Sequence, residues 1–271
     1  MESFKLNLER KIESREKSNF SDLIIYTTTL YKSDEMSAMR EKLALSFFKK
    51  IEKLNIKCVV VDGGSNVVFL ENLQQISNLK IISDNSQSMG GSRRLALDEA
   101  LKTAEAKYFL WVEPEKDDLI SEESLSRLID DLRNNNTDVV VAKREALESM
   151  PKLQAWLEDR ANKRAMETAG VTVSEAKEVW DLWFGPKMFN REAAKYFMAS
   201  KSSLDKWDTI IKPVIEAFQD GKKIANIVVD YKYDITQKSS EENSDNIKRK
   251  RLTQYVNILA ELGDNYWKDK I

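Results

Sequence analysis

Residues 57–65 read KCVVVDGGS. After Lys57, the side chains of Cys58, Val59, Val60 and Val61 are apolar without interruption, then Asp62 closes the run and Gly63-Gly64 stops it. A strand that is apolar at consecutive rather than alternate positions is covered on both faces, as in a parallel sheet. Cys58, inside it, reads as an inert buried thiol. Upstream, Asp22-Leu23-Ile24-Ile25-Tyr26 is a second run of this kind. Between the two, Met36, Met39, Leu43, Phe47 and Ile51 recur at three- and four-residue steps and predict a helix over 34–54. Downstream, 79–83 (LKIIS) predicts a strand, 92–105 a helix, and Tyr108 to Val112 (YFLWV) a fourth strand. This alternation predicts an α/β fold: a mostly parallel, Rossmann-like sheet with helices on both faces.

The second half is less regular. Helices are expected at 121–133, 152–169, 189–199, 208–220 and 247–262, and strands at 138–142 and 223–231. The polar stretch 237–246 (QKSSEENSDN) reads as a mobile loop, and residues 1–18 as a charged amphipathic helix. The expected organisation is an N-terminal helix (1–20), a first half (21–120) and a second half (121–236) of one domain, and a polar loop with a C-terminal helix (237–271).

Composition narrows the chemistry. With 271 residues, 42% apolar and 32% charged, the chain has material for a core and is not a disordered polyelectrolyte. A net charge of -2 argues against a nucleic-acid partner. A single cysteine excludes a disulfide framework and multi-cysteine zinc sites. The absence of histidine excludes HExxH metalloproteases, Ser-His-Asp and Cys-His nucleophilic sites and histidine-ligated zinc or haem. Any metal would sit on oxygen ligands, which favours Mg2+ or Mn2+. Glu2, Glu9, Glu13 and Glu16 interrupt the N-terminus, and the longest apolar runs are strand-length, so the expectation is a cytoplasmic protein with no integral membrane segment.

Neither GxGxxG nor GxxxxGK[ST] occurs. Polar residues cluster instead after the strands, where open α/β sheets bind ligands: Thr27-Thr28-Thr29, Asp62-Gly63-Gly64-Ser65, Gly90-Gly91-Ser92-Arg93-Arg94, and Glu113-Pro114-Glu115 followed by Lys116-Asp117-Asp118. A strand-end carboxylate can accept from a ribose hydroxyl or a base N–H. A glycine-rich helix start offers backbone N–H groups to phosphate, an arginine adds a fork for a diphosphate, and two carboxylates two residues apart can share a divalent ion.

On these motifs the stretch 22–120 resembles the nucleotide-sugar half of family 2-type glycosyltransferases of the GT-A fold. VVVDGGS (59–65) is similar to the family's strand-end acidic turn, GGSRRLALDEA (90–100) to its ARN-like helix start, and YFLWVEPEKDDLI (108–120) to its strand ending in DxD. Glu-Pro-Glu stands where the family has Asp-x-Asp, with Asp117 and Asp118 adjacent. The resemblance implies transfer of a sugar from a nucleotide-diphosphate donor to a hydroxyl acceptor. Thr27, Thr28, Asp62, Gly63, Arg93 and Glu113 would bind the nucleotide, and Glu113 and Glu115 would hold Mg2+ or Mn2+. Asp208 would be the general base, Asp181, Trp183 and Trp207 would line the acceptor side, and the basic IKRKR segment (247–251) would fold over the diphosphate. Two alternatives stay open. Glu-Pro-Glu favours a catalytically silent nucleotide-binding module. A sugar nucleotidyltransferase would carry a glycine-rich basic loop after the first strand, where this chain has Thr27-Thr28-Thr29.

Overall fold

In the computed structural model, which describes residues 20–33, 35–84, 88–145, 150–174, 176, 178–199, 207–233 and 235–268, the buried strands found in the sequence assemble into one mixed sheet. The helix expected over 1–18 lies outside the described residues. The strands are β1 (Leu23–Thr29), β2 (Lys57–Asp62), β3 (Leu79–Ser83), β4 (Tyr108–Trp111), β5 (Val139–Arg144), β6 (Lys187–Asn190) and β7 (Ile224–Val229). Their order is β3-β2-β1-β4-β6-β5-β7. The pairs β1–β2, β2–β3, β1–β4 and β5–β7 are parallel, and β6 runs antiparallel to β4 and β5.

The helices are α1 (Glu35–Lys53), α2 (Val67–Gln74), α3 (Met89–Leu101), α4 (Glu122–Asn134), α5 (Lys152–Thr168), α6 (Ala194–Ala199), α7 (Lys212–Gln219), α8 (Ile235–Asn243) and α9 (Asp245–Lys268). Strand side chains alternate between faces, and the core divides accordingly. Ile24, Tyr26, Val59, Val61, Phe109 and Trp111 pack with α3, α5, α6 and α7 on one face. Leu23, Ile25, Cys58, Val60, Leu110 and Val112 pack with α1, α2 and α4 on the other. This is the α/β architecture expected from the alternation.

Three local expectations are corrected, and one helix is added. The helix expected at 189–199 begins as strand β6, because Met188 and Phe189 pair with Leu110 and Phe109 across the sheet. The loop expected at 237–246 is largely helix α8. The helix expected from 208 starts at Lys212, after a 3-10 turn over Trp207–Thr209, with Pro213 in its first turn where its missing N–H costs nothing. Helix α2, unassigned in the sequence, is started by Asn66, whose side chain accepts from the Phe69 N–H at 2.9 Å.

Candidate active site

The carboxyl ends of β1, β2 and β4 lie side by side in the sheet, and the antiparallel β6 brings its first residue, Lys187, opposite Trp111 at that same edge. The segments after β2, β3 and β4 and the turn before β6 therefore share one rim.

After β2, Asp62 is buried and opposite Thr29. Its carboxylate accepts from the N–H groups of Gly64 (3.0 Å) and Ser65 (2.8 Å), and from Thr29 Oγ1 (3.4 Å). It holds the Gly63–Ser65 turn shut as an Asx-type turn, while Gly63 donates to the Thr29 carbonyl at 2.9 Å. Thr27 faces inward and donates to the Val112 carbonyl at 2.7 Å, tying β1 to the end of β4, so it braces the sheet and presents no group to a ligand. Thr28 is half-buried at the rim.

After β3, Ser88 caps α3 by accepting from the Gly91 N–H at 3.0 Å. Arg93, one turn in, lies over the Trp111 ring with its guanidinium carbon 4.5 Å from the ring centre, and donates to Thr209 Oγ1 at 3.2 Å. Its neighbour Arg94 donates to Asp208 Oδ2 at 2.8 Å. Asp208 is only 1% exposed. The expected base is therefore buried and ion-paired, linking the 3-10 turn to α3.

After β4, the Glu-Pro-Glu segment carries both carboxylates to the rim, each met by a cation. Lys116 donates to Glu113 Oε2 at 2.7 Å. Glu115 accepts from the Tyr31 hydroxyl at 3.0 Å and is ion-paired with Arg40 of α1. Burial favours the neutral form of Glu113, but Lys116 and Arg93 outweigh it and hold the carboxyl down at about 2. Asp117 is bound by Ser46 Oγ (2.7 Å) and Lys50 Nζ (2.8 Å) of α1, and Asp118 faces outward, so neither supplements the two glutamates.

The turn before β6 makes room for Glu113. Gly185 has φ +95°, and a Cβ there would sit 2.5 and 2.7 Å from the Glu113 carboxylate oxygens. Lys187, fully buried, donates to the carbonyls of Leu182 (3.0 Å) and Gly185 (3.1 Å) and so fixes that turn. Burial, reinforced by the nearby charges of Lys116 and Arg144 and opposed by Asp181 and Glu113, lowers its ammonium pKa to about 7.

Of the residues expected on the acceptor side, Asp181 and Trp183 are buried. Asp181 pairs through both oxygens with Arg144 at the end of β5 (2.7 and 2.8 Å) and accepts from Asn162. Arg144 is also paired with Glu158. Burial opposes the charge on Asp181, yet Arg144 holds its carboxyl below the ordinary range. Trp183 is buried in the core, its backbone N–H donating to Asn162 Oδ1 at 2.9 Å. The Trp207 side chain lies outside the described part. What faces the rim here is Phe184, between Lys116 (5.4 Å) and Arg144 (4.6 Å) and 5.0 Å from Tyr231. The IKRKR segment is the first part of α9; Arg251 pairs with Glu241 at 3.1 Å, and Lys250 lies within the field of Arg40.

A divalent ion does not fit this donor set as it stands. Each glutamate already carries a protein cation, and among the described residues no group of three acidic side chains converges. Sequence reasoning missed Arg40, Tyr31 and Lys187. Lys116 was visible as the basic neighbour of Glu115, but nothing in the sequence linked α1 to β4.

A model of the family described as glycosyl transferase family 2 matches residues 39–197. No curated protein matches the sequence. Among solved structures, glucosyl-3-phosphoglycerate synthase from Mycobacterium tuberculosis with Mn2+, UDP-glucose and phosphoglyceric acid is similar at a TM-score of 0.55 and 12% identity, over 89% of this chain and 79% of that one. Its complex with Mg2+ and UDP has a TM-score of 0.55 and 12% identity over 93% and 83%. A protein from Desulfovibrio desulfuricans G20 assigned to the nucleotide-diphospho-sugar transferases has a TM-score of 0.50 and 8% identity over 89% and 98%. At these identities the likeness is one of fold. Among the described residues no helix is long and apolar enough to cross a membrane.

Proposed function

The chain belongs to glycosyl transferase family 2, an enzyme family of the GT-A fold, and on that premise we propose that it moves a sugar from a nucleotide-diphosphate donor to a hydroxyl acceptor at the carboxyl edge of the sheet. The observation that carries this reading is electrostatic. Arg93 of α3 lies over Trp111, two residues before Glu113, and its charge helps to hold the Glu113 carboxyl down, so the helix start after β3 and the Glu-Pro-Glu segment after β4 are neighbours on the rim. Thr28 and the Gly63–Ser65 turn form the adjoining rim for the nucleoside, with Asp62 fixing the turn.

In the reaction, the acceptor oxygen forms a bond to the anomeric carbon as the bond from that carbon to the diphosphate oxygen breaks. The electron pair and its negative charge leave with the diphosphate. Basic side chains fixed where that charge develops lower the barrier. Lys116 is such a group, its geometry set by Glu113, and Arg93, buried over Trp111, adds its charge from behind the rim. Asp208 is assigned to positioning α3 through Arg94, not to taking the acceptor proton.

The test is a calorimetric and thermal-shift panel of UDP, GDP, dTDP and CDP, followed by hydrolysis of the matching sugar nucleotide. One nucleoside diphosphate should bind, with binding weakened tenfold or more in Arg93→Met. Failure of every diphosphate to bind refutes the reading, and release of pyrophosphate from a nucleoside triphosphate and a sugar phosphate points to nucleotidyl transfer instead.

A further inference from the structure

The two glutamates after β4 occupy the positions at which a family 2 fold would place its metal-associated carboxylates, yet each is closed by a basic side chain. Lys116 reaches Glu113 from within the same turn, and Arg40 reaches Glu115 from a helix 75 residues earlier. Neither cation is buried by its pairing: the Arg40 side chain is 48% exposed and Lys116 18%. Each keeps donors beyond those its carboxylate engages.

We propose, resting on the transferase reading above, that Lys116 and Arg40 together take the place of the divalent ion, so that the nucleoside diphosphate is bound by protein cations alone. Two fixed monocations carry the charge of one divalent ion. The carboxylates that would have ligated the metal orient them instead: Glu113 aims the Lys116 ammonium from a space that only the bare Cα of Gly185 leaves open, and Glu115 is itself oriented by the Tyr31 hydroxyl. The basic surface extends beyond these pairs. Arg93 acts on Glu113 from the α3 side, and Lys250 at the start of α9 is set against Arg40 as a like charge. Four basic side chains thus gather around the two glutamates, an arrangement complementary to a diphosphate and unfavourable to a divalent cation, while the neighbouring Asp62 and Asp117 carboxylates are taken up by partners of their own.

The experiment is isothermal titration of the full chain with UDP, GDP, dTDP and CDP, once in EDTA and once in excess Mn2+. The diphosphate that binds should have the same Kd in both buffers to within about twofold. Arg40→Met and Lys116→Met should each raise that Kd about tenfold or more, leave binding of the parent nucleoside within about twofold, and be rescued in part by Arg40→Lys and Lys116→Arg. Urea midpoints of the four variants identify any that fail to fold, and the charge-retaining pair keeps the test decisive in that case. A Kd that falls tenfold or more on adding Mn2+ overturns this proposal and leaves the transferase reading standing. Absence of binding by any diphosphate in either buffer overturns the transferase reading, and this proposal with it.

Discussion

Replacing Gly185 by alanine places a methyl group against a charged side chain. The backbone at 185 has φ +95°, where an L-residue costs about 1–2 kcal/mol. The new Cβ would also lie 2.5 and 2.7 Å from the Glu113 oxygens and 3.0 Å from its Cδ. Those distances are too short for any contact, so the carboxylate must swing away. Doing so breaks its 2.7 Å bond from Lys116, a charge-assisted interaction worth about 1.5–3 kcal/mol. The expected destabilisation of Gly185→Ala is therefore about 3–4 kcal/mol in urea unfolding. In a Glu113→Ala background these three contacts are gone and the backbone part remains, so the double-mutant cycle should give a coupling of about 2 kcal/mol. Nucleoside diphosphate affinity should fall in Gly185→Ala, because Lys116 is no longer aimed. A coupling under about 0.5 kcal/mol, with wild-type affinity, would refute the claim that this glycine exists to seat Glu113.

Three further outcomes are expected. Lys187 titrates near 7 in the folded chain against 10.5 when unfolded, so above pH 7 the unfolded state binds more protons and stability rises with pH. Relative to Lys187→Met, the wild type should gain roughly 3 kcal/mol between pH 7 and about 9.5; a flat difference refutes the buried charge. The series stops there because Tyr26 and Tyr31, buried and pushed above their ordinary range, withdraw stability once unfolded tyrosines ionise. Asp181→Ala leaves Arg144 buried with Glu158 as its remaining carboxylate partner and should cost about 3–5 kcal/mol; an unchanged melting temperature with a raised acceptor KM would restore Asp181 to the acceptor side. Asp208→Ala should lower the urea midpoint by removing the Arg94–Asp208 pair that docks the 3-10 turn; loss of kcat at an unchanged midpoint would make Asp208 the base after all.

The sequence by itself determined the parallel half of the sheet. The runs ending at Asp62 and Ser83 have the observed bounds of β2 and β3: β2, inside the sheet, is buried at every position from Cys58 to Asp62, as a strand covered on both faces must be, whereas β3 lies at the sheet edge and keeps Lys80 exposed between Leu79 and Ile81. The same logic located Arg93 and the Glu-Pro-Glu segment at one rim, since polar residues following buried parallel strands all emerge at the carboxyl edge. Strand β6 escaped that reading: Lys187–Asn190 is four residues long, and what makes it a strand is pairing with β4 and β5, partners far away in sequence. The roles of individual carboxylates were likewise decided by tertiary structure. Asp181 and Asp208 have the residue type of acceptor-side groups, but Arg144 and Arg94 claim them inside the protein. Glu115 is expected as a metal ligand, and no local pattern announces that α1 pairs it with Arg40. Local pattern encodes which residues must leave water, because burial depends on each side chain's own chemistry. Which charge meets which depends on how the elements cross in space, and that only the assembled sheet and its helices fix.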